Sequence, residues 1–252
     1  MIMNKINLEK ELEIAKKAAC AAGKLLLGEE AILKKELLST DRDLKLTADL
    51  MSEKKIIDII SAESKYPILA EESGLSSGML SDIFWVIDPL DGTANYSKGI
   101  PICCVSIALI FKLDSILGII YDFNNDDLYE GSINSSAKLN SQKIFVSDID
   151  SSNKGVLLTG MPNDTDYSDE ALNEMVLNFQ NWRKVRMIGS AAMASVYVAS
   201  GKADLYTEKK TYLWDIAAGA AIVNAAGGKA VIKNQNDKFQ VDAYFSNSLL
   251  KI

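Results

Sequence analysis

The chain has 252 residues, 48% of them hydrophobic, enough to bury a substantial core as one large domain or two packed halves. Its net charge is −7 and its only arginines are Arg42, Arg183 and Arg186, a balance that argues against a nucleic-acid backbone as partner and suits a protein that gathers cations. Histidine is absent, which excludes Ser-His-Asp and Cys-His triads, His-ligated zinc and phosphohistidine transfer, so any hydrolysis falls to carboxylates, hydroxyls, lysines or metal-activated water.

In chain order, Leu8, Leu12, Ala15, Ala19, Ala22 and Leu26 recur at helical spacing, predicting a helix over residues 7–27 with Asn7 as its cap. Glu36 to Lys45 is polar and reads as loop. A second helix is expected from about Thr47, with Leu50, Ile57 and Ile60 on one side. The period then shortens: Ile68 to Ala70 and Ile83 to Ile87 read as buried strands, and Ile102–Phe111 with Ile116–Tyr121 as a hairpin about Lys112 to Asp114. Leu128-Tyr129 adds a strand, and polar Asn134 to Gln142 marks a boundary, giving halves 1–135 and 136–252. Beyond it strands (155–159, 185–187, 203–207, 229–232 and 241–245) alternate with helices (168–179, 190–200 and 215–226). This is a mixed α+β and α/β chain. Cys20, Cys103 and Cys104 read as small apolar residues rather than a disulfide framework. The N-terminus lacks a signal-peptide pattern and no apolar run approaches the ~18 residues of a membrane span, so the expectation is a soluble, cytoplasmic protein without a membrane partner.

The chemistry centres on Asp88-Pro89-Leu90-Asp91-Gly92-Thr93-Ala94-Asn95-Tyr96. A buried strand delivers Asp88, Pro89 stiffens the exit, and Gly92 allows close backbone approach. Two carboxylates three residues apart can then face one space, and a divalent cation relieves their repulsion; hard oxygen ligands suit Mg2+. A helix starting at Gly92-Thr93 would aim its free N–H groups at the same space, which favours a phosphate.

The string Trp85 to Tyr96, followed by Gly99-Ile100-Pro101, closely resembles the first signature of the inositol monophosphatase family. Leu213-Trp214-Asp215-Ile216-Ala217-Ala218-Gly219, with Ala226-Gly227-Gly228, resembles its second signature, and Glu71-Glu72-Ser73-Gly74 its upstream glutamate motif. The resemblance implies a layered αβαβα sugar-phosphatase fold, with the site between the two halves. It implies that Glu71, Asp88 and the Leu90 carbonyl bind one Mg2+, that Asp88, Asp91 and Asp215 bind a second, and that Glu71 holds a third more weakly. It assigns Asp49 and Thr93 to the attacking water; Asp43 to Asp49 loosely resembles the family's lead-in. Asp91, Gly92, Thr93, Ser190, Ala191, Glu208 and Asp215 are the implied substrate contacts. A homodimer and lithium sensitivity follow from the same resemblance.

The substrate class that follows is a small sugar or polyol phosphate such as inositol-1-phosphate. Histidinol phosphate, fructose-1,6-bisphosphate and adenosine 3′,5′-bisphosphate are the alternatives within the family. A haloacid dehalogenase type phosphatase would place one residue between its two acids, where two separate Asp88 from Asp91. A non-catalytic metal- or phosphate-binding regulator would be expected to lose Glu71, Asp49 or Thr93, and all are present.

Overall fold

The computed structural model describes residues 6–28, 30–40, 44–76, 80–162 and 164–250, with backbone alone at 30–31. Asp43 lies outside the described residues. The first helix, α1 (Leu8–Leu26), is capped as expected, with Asn7 Oδ1 accepting from the Lys10 N–H at 3.1 Å. A short turn of helix, α2 (Glu30–Leu33), leads to β1 (Glu36–Ser39), β2 (Leu44–Leu46) and α3 (Thr47–Glu63). The segment read as polar loop is therefore an antiparallel hairpin. Its β1 strand is exposed throughout, so no buried face marks it in the sequence.

The next strands are β3 (Ile68–Ala70), β4 (Gly74–Leu75) and β5 (Ile83–Asp91), followed by the short helix α4 (Thr93–Ser97). After these come β6 (Cys104–Phe111), β7 (Asp114–Asp122), β8 (Asp127–Ser132), β9 (Ser135–Leu139) and β10 (Gln142–Lys143). They form one eight-stranded sheet in the order β10-β9-β8-β7-β6-β5-β3-β4, antiparallel except for the parallel β3–β5 pair. The polar stretch 134–142 is β9 and the start of the edge strand β10, and the sheet runs through it without a break. Polar residues are tolerated there because the outer face of an edge is solvated.

The rest of the chain is β11 (Val156–Thr159), α5 (Asp169–Phe179), β12 (Lys184–Met187), α6 (Ala191–Ala199), β13 (Leu205–Tyr212), α7 (Leu213–Ala225), β14 (Lys229–Lys233) and β15 (Gln240–Ser246). A second sheet of five strands has the order β12-β11-β13-β15-β14, with β12, β11 and β13 parallel.

The cores give the layering. Along β5 the side chains alternate as the strand period demands. Trp85 and Ile87 join α1 and α3 in one core, and Phe84 and Val86 join α6, α7 and the second sheet in another. A third, smaller core of Leu157, Trp182, Leu205 and Leu250 takes in Phe179 of α5 on the outer side of the second sheet. The order is helices, sheet, helices, sheet, helix: the αβαβα arrangement.

The buried face of α3 departs from expectation. Leu50 is 42% exposed, and the face turned inward carries Asp49, Ser52, Glu53, Ile56 and Ile60. Its first half is buried against polar backbone rather than apolar side chains.

The central helix α7 lies unusually close to the first sheet. A Cβ on Gly118 of β7 would stand 2.2 Å from the Ala218 carbonyl oxygen. Neither element can yield, because both sit mid-layer. Gly118→Val is expected to cost about 3 kcal/mol or more through overpacking. A thermal melt should show Tm lower by roughly 10 °C, and an unchanged Tm would contradict this packing.

Candidate active site

The carboxyl ends of the parallel strands of both sheets meet at one cleft, the usual place for a ligand in α/β sheets. Its volume is about 770 Å³. Glu71 follows β3, Asp88 and Asp91 end β5, Gly160 follows β11, Ser190 follows β12, and Asp215 follows β13.

The Asp88–Asp91 segment stays in strand, but its pairing with β6 shifts register between these two residues. The Leu90 N–H turns back to Asp88 Oδ1 at 2.9 Å, and Ser52 Oγ of α3 donates to the Pro89 carbonyl at 2.7 Å. Gly92 then adopts φ +87°, and a Cβ there would lie 2.8 Å from the Ile102 carbonyl oxygen, so only glycine fits. Helix α4 does start at Thr93, as foreseen, but runs only five residues. Asn95 Nδ2 donates to the carbonyls of Ile102 (2.8 Å) and Ile188 (2.7 Å), joining the motif to the strand end before Ser190.

Asp91 is fixed by the start of α6. Its Oδ2 accepts from the Ser190 hydroxyl and from the Ala192 N–H at 2.8 Å. Ser190 Oγ in turn caps α6 by accepting from Met193 N at 3.1 Å. In this arrangement the Ser190 hydroxyl is engaged with Asp91, although Ser190 and Ala191 both line the cleft. Asp215 sits in the first turn of α7, where Oδ2 accepts from Thr211 Oγ1 (2.6 Å) and Tyr212 N (2.8 Å). Asp49 does the same in α3: Oδ2 accepts from Leu46 N at 2.7 Å, and Oδ1 accepts from Thr93 Oγ1 at 3.0 Å. Helix-start carboxylates of this kind satisfy N–H groups that the helix leaves open. Thr93 Oγ1 also lies 3.0 Å from the Leu90 carbonyl oxygen. Glu208 lies on β13, where Tyr206 donates its hydroxyl to Oε2 at 3.1 Å. A Cβ on Gly160 would collide with the same carboxylate.

The electrostatics follow from crowding acids in a poorly hydrated place. Burial, then the charge of Glu71, pushes Asp88 well above the ordinary carboxylate range. Burial and Asp215 do the same to Glu71, which shares a hydrogen bond with Asp88. Burial raises Asp91, with Ser190 and the α6 N–H groups pulling it back. Burial and Asp91 raise Asp215 to about 7. Burial raises Asp49 to about 6 against its bonds from Leu46 and Thr93. Burial and the charge of Asp215 raise Glu208 to about 8.

These groups fit a hard divalent cation by their chemistry. Every donor is oxygen, several are deeply buried, and Glu71, Asp91 and Asp215 each raise the pKa of another acid in the cluster. They are not drawn into a finished cage: among the described residues no three His, Cys, Asp or Glu side chains already close around one point. All eleven site residues expected from sequence are at or beside this cleft, Asp49 reaching it through Thr93. Sequence reasoning missed Ser52, Thr211 and Tyr206, which hold the motif, Asp215 and Glu208 in place. Thr211 carries a faint signal, four residues before Asp215 at a helix start; Ser52 carries none.

The inositol monophosphatase family profile matches residues 7–245. The chain belongs to the inositol monophosphatase family. It is 35% identical to an inositol-1-monophosphatase of Synechocystis, covering 88% of this chain and 78% of that one. It is 39% identical to a protein named Nus factor SuhB of Pasteurella multocida, covering 86% and 83%. An inositol monophosphatase structure from Anabaena superposes with TM-score 0.83 at 32% identity, covering 96% of this chain and 92% of that chain. The chain is a phosphatase, a hydrolase of a family that is generally metal-dependent.

The raised carboxyls set a stability rule for the protein stripped of cations. Each binds protons more tightly folded than unfolded, so their contribution favours folding at low pH. It is lost as pH rises from near 4 through the folded values of about 6 for Asp49, about 7 for Asp215 and about 8 for Glu208. In EDTA, Tm is expected to fall between about pH 5.5 and pH 8.5, and millimolar Mg2+ should restore it at the upper end. A Tm in EDTA that climbs across this window would contradict the crowding.

Proposed function

We propose that this phosphatase hydrolyses a small sugar or polyol monophosphate, of which inositol-1-phosphate is the type, with Mg2+ as its cation. The observation that carries this reading is the position of Thr93 Oγ1, 3.0 Å from Asp49 Oδ1 and 3.0 Å from the Leu90 carbonyl oxygen. It joins a hydroxyl and a carboxylate able to take a proton to a backbone oxygen able to hold a metal.

Glu71, Asp88 and the Leu90 carbonyl would hold one ion, with Asp88, Asp91 and Asp215 holding a second; a third, weaker ion would rest on Glu71. Mg2+ bound there supplies Lewis acidity and offsets the carboxylate charge. Thr93 Oγ1 accepts a hydrogen bond from the attacking water, and its own proton points to Asp49, which serves as the proton's destination. A carboxylate with a pKa of about 6 stays ionised at neutral pH, yet is far more basic than an ordinary aspartate. Glu208, opposite, accepts from a ring hydroxyl of the substrate.

Lys45 supports a monophosphate over a bisphosphate. Among the described residues lining the cleft it is the sole Lys or Arg, and it is already paired with Glu72. Among the described residues no second Lys or Arg lines the cleft to cradle a second phosphate. The relatives named Nus factor support a second reading, a binding role carried by the same fold. A homodimer and inhibition by lithium are further parts of the family reading.

Phosphate release should be assayed on inositol-1-phosphate, fructose-1,6-bisphosphate, histidinol phosphate and adenosine 3′,5′-bisphosphate, each with Mg2+ and with EDTA. Mg2+-dependent release, greatest from inositol-1-phosphate, is expected. Release from none of them by protein that still binds Mg2+ would favour the binding role. Thr93→Val should lower kcat by about 100-fold or more while the Mg2+-induced rise in Tm persists. Near-normal turnover would remove Thr93 from the water-activating pair.

A further inference from the structure

Glu208 stands in the cleft between two strand neighbours that carry almost no side chain. On β13 it lies two residues beyond Tyr206, so both project to the same face of the strand. That face is the inner one: Tyr206 and its partner on β11, Leu158, are buried in the core between the sheets. Extending this parallel register two residues past the Leu158–Tyr206 pair sets Gly160 beside Glu208. On the other side Glu208 pairs with Ala243 of β15. The backbone at Gly160 has no positive φ, so its conformation does not call for glycine. The need is for room. A Cβ there would stand 2.8 Å from the Glu208 carboxyl carbon and nearer still to Oε2, and its three nearest atoms would all belong to that carboxyl group.

We propose that Gly160 is a specificity-determining residue: the room it leaves keeps the Glu208 carboxylate over the cleft, and so sets a preference for esters whose alcohol carries a further hydroxyl. This rests on Glu208 accepting from a substrate hydroxyl, as in the proposed function. The carboxylate is the mobile end of a long side chain, so a methyl group at 160 displaces it and leaves the strands in place. The Tyr206 hydroxyl that bonds Glu208 Oε2 at 3.1 Å sits on a ring packed edge-on to Phe245, and cannot follow the carboxylate away. Asp91 and Asp215 are held by other partners, the start of α6 for one and Thr211 with the Tyr212 N–H for the other. A change at 160 therefore acts on recognition of the alcohol and not on the groups that face the phosphate.

The test compares kcat/KM on inositol-1-phosphate with kcat/KM on phenyl phosphate, whose alcohol has no further hydroxyl, both in Mg2+. Gly160→Ala should lower the ratio of the first to the second by about tenfold, chiefly through a higher KM for inositol-1-phosphate, as when a contact away from the reacting phosphorus is lost. Glu208→Ala should lower the ratio at least as far. The double variant Gly160→Ala/Glu208→Ala should match Glu208→Ala alone, because no carboxylate remains to be displaced. Each variant should keep the Mg2+-induced rise in Tm, which reports the fold and the cation site separately from recognition. A wild-type ratio in Gly160→Ala, with the ratio collapsed in Glu208→Ala, overturns the proposal. So do losses that multiply in the double variant, because the methyl group would then obstruct the substrate by itself. A ratio untouched in Glu208→Ala would instead overturn the Glu208 contact in the proposed function, and the assignment of Gly160 with it.

Discussion

Six crowded carboxylates in a poorly hydrated cleft are the constraint on which the rest of this structure depends. Burial alone raises an acid's pKa, and here the charges of Glu71, Asp91 and Asp215 raise their neighbours' as well. Such a cluster is tolerable only if something opposes it. Part of the opposition is built into the chain as hydrogen bonds. Ser190 and the first N–H groups of α6 hold Asp91; Thr211 and the Tyr212 N–H hold Asp215; the Leu90 N–H holds Asp88. The remainder is the part a divalent cation would take.

The fold serves this purpose by bringing strand ends together from two sheets. The first sheet contributes Glu71 and Asp88 from the parallel pair β3 and β5, and the second contributes Asp215 from the end of β13. Helix α7 runs between the sheets and starts at the site, so its packing against Gly118 and the position of Asp215 are one rigid fact. Helix α3 acts from the other side. Its first two turns spend a buried face on Asp49, Ser52 and Glu53, giving up apolar packing for hydrogen bonds to the motif. A polar buried face of this kind is a common mark of a functional site, where local rules for folding are broken for a reason.

Much of the site was legible in the sequence because it comes as contiguous strings. Ile83 to Ile87 announces a buried strand, and the acids after it can only lie at that strand's end. The cap Asn7 was legible for a similar reason: a side-chain oxygen before an apolar-periodic run has a local role. What escaped depends on partners far along the chain. Ser52 reads as an ordinary helix serine until Pro89 is placed beside it, and Leu50 looks like core until the helix is turned to show Asp49. The hairpin β1–β2 and the strands β9 and β10 are polar because they are exposed or at an edge, so periodicity carries no signal there.

The most direct measurement is a crystal structure of the protein soaked in Mn2+, with anomalous scattering used to locate the ions. The account predicts peaks on both sides of Asp88, one reached by Glu71 and the Leu90 carbonyl and one by Asp91 and Asp215. Ordered Asp88, Asp91 and Asp215 with no anomalous peak among them, at a Mn2+ concentration that supports turnover, would contradict it.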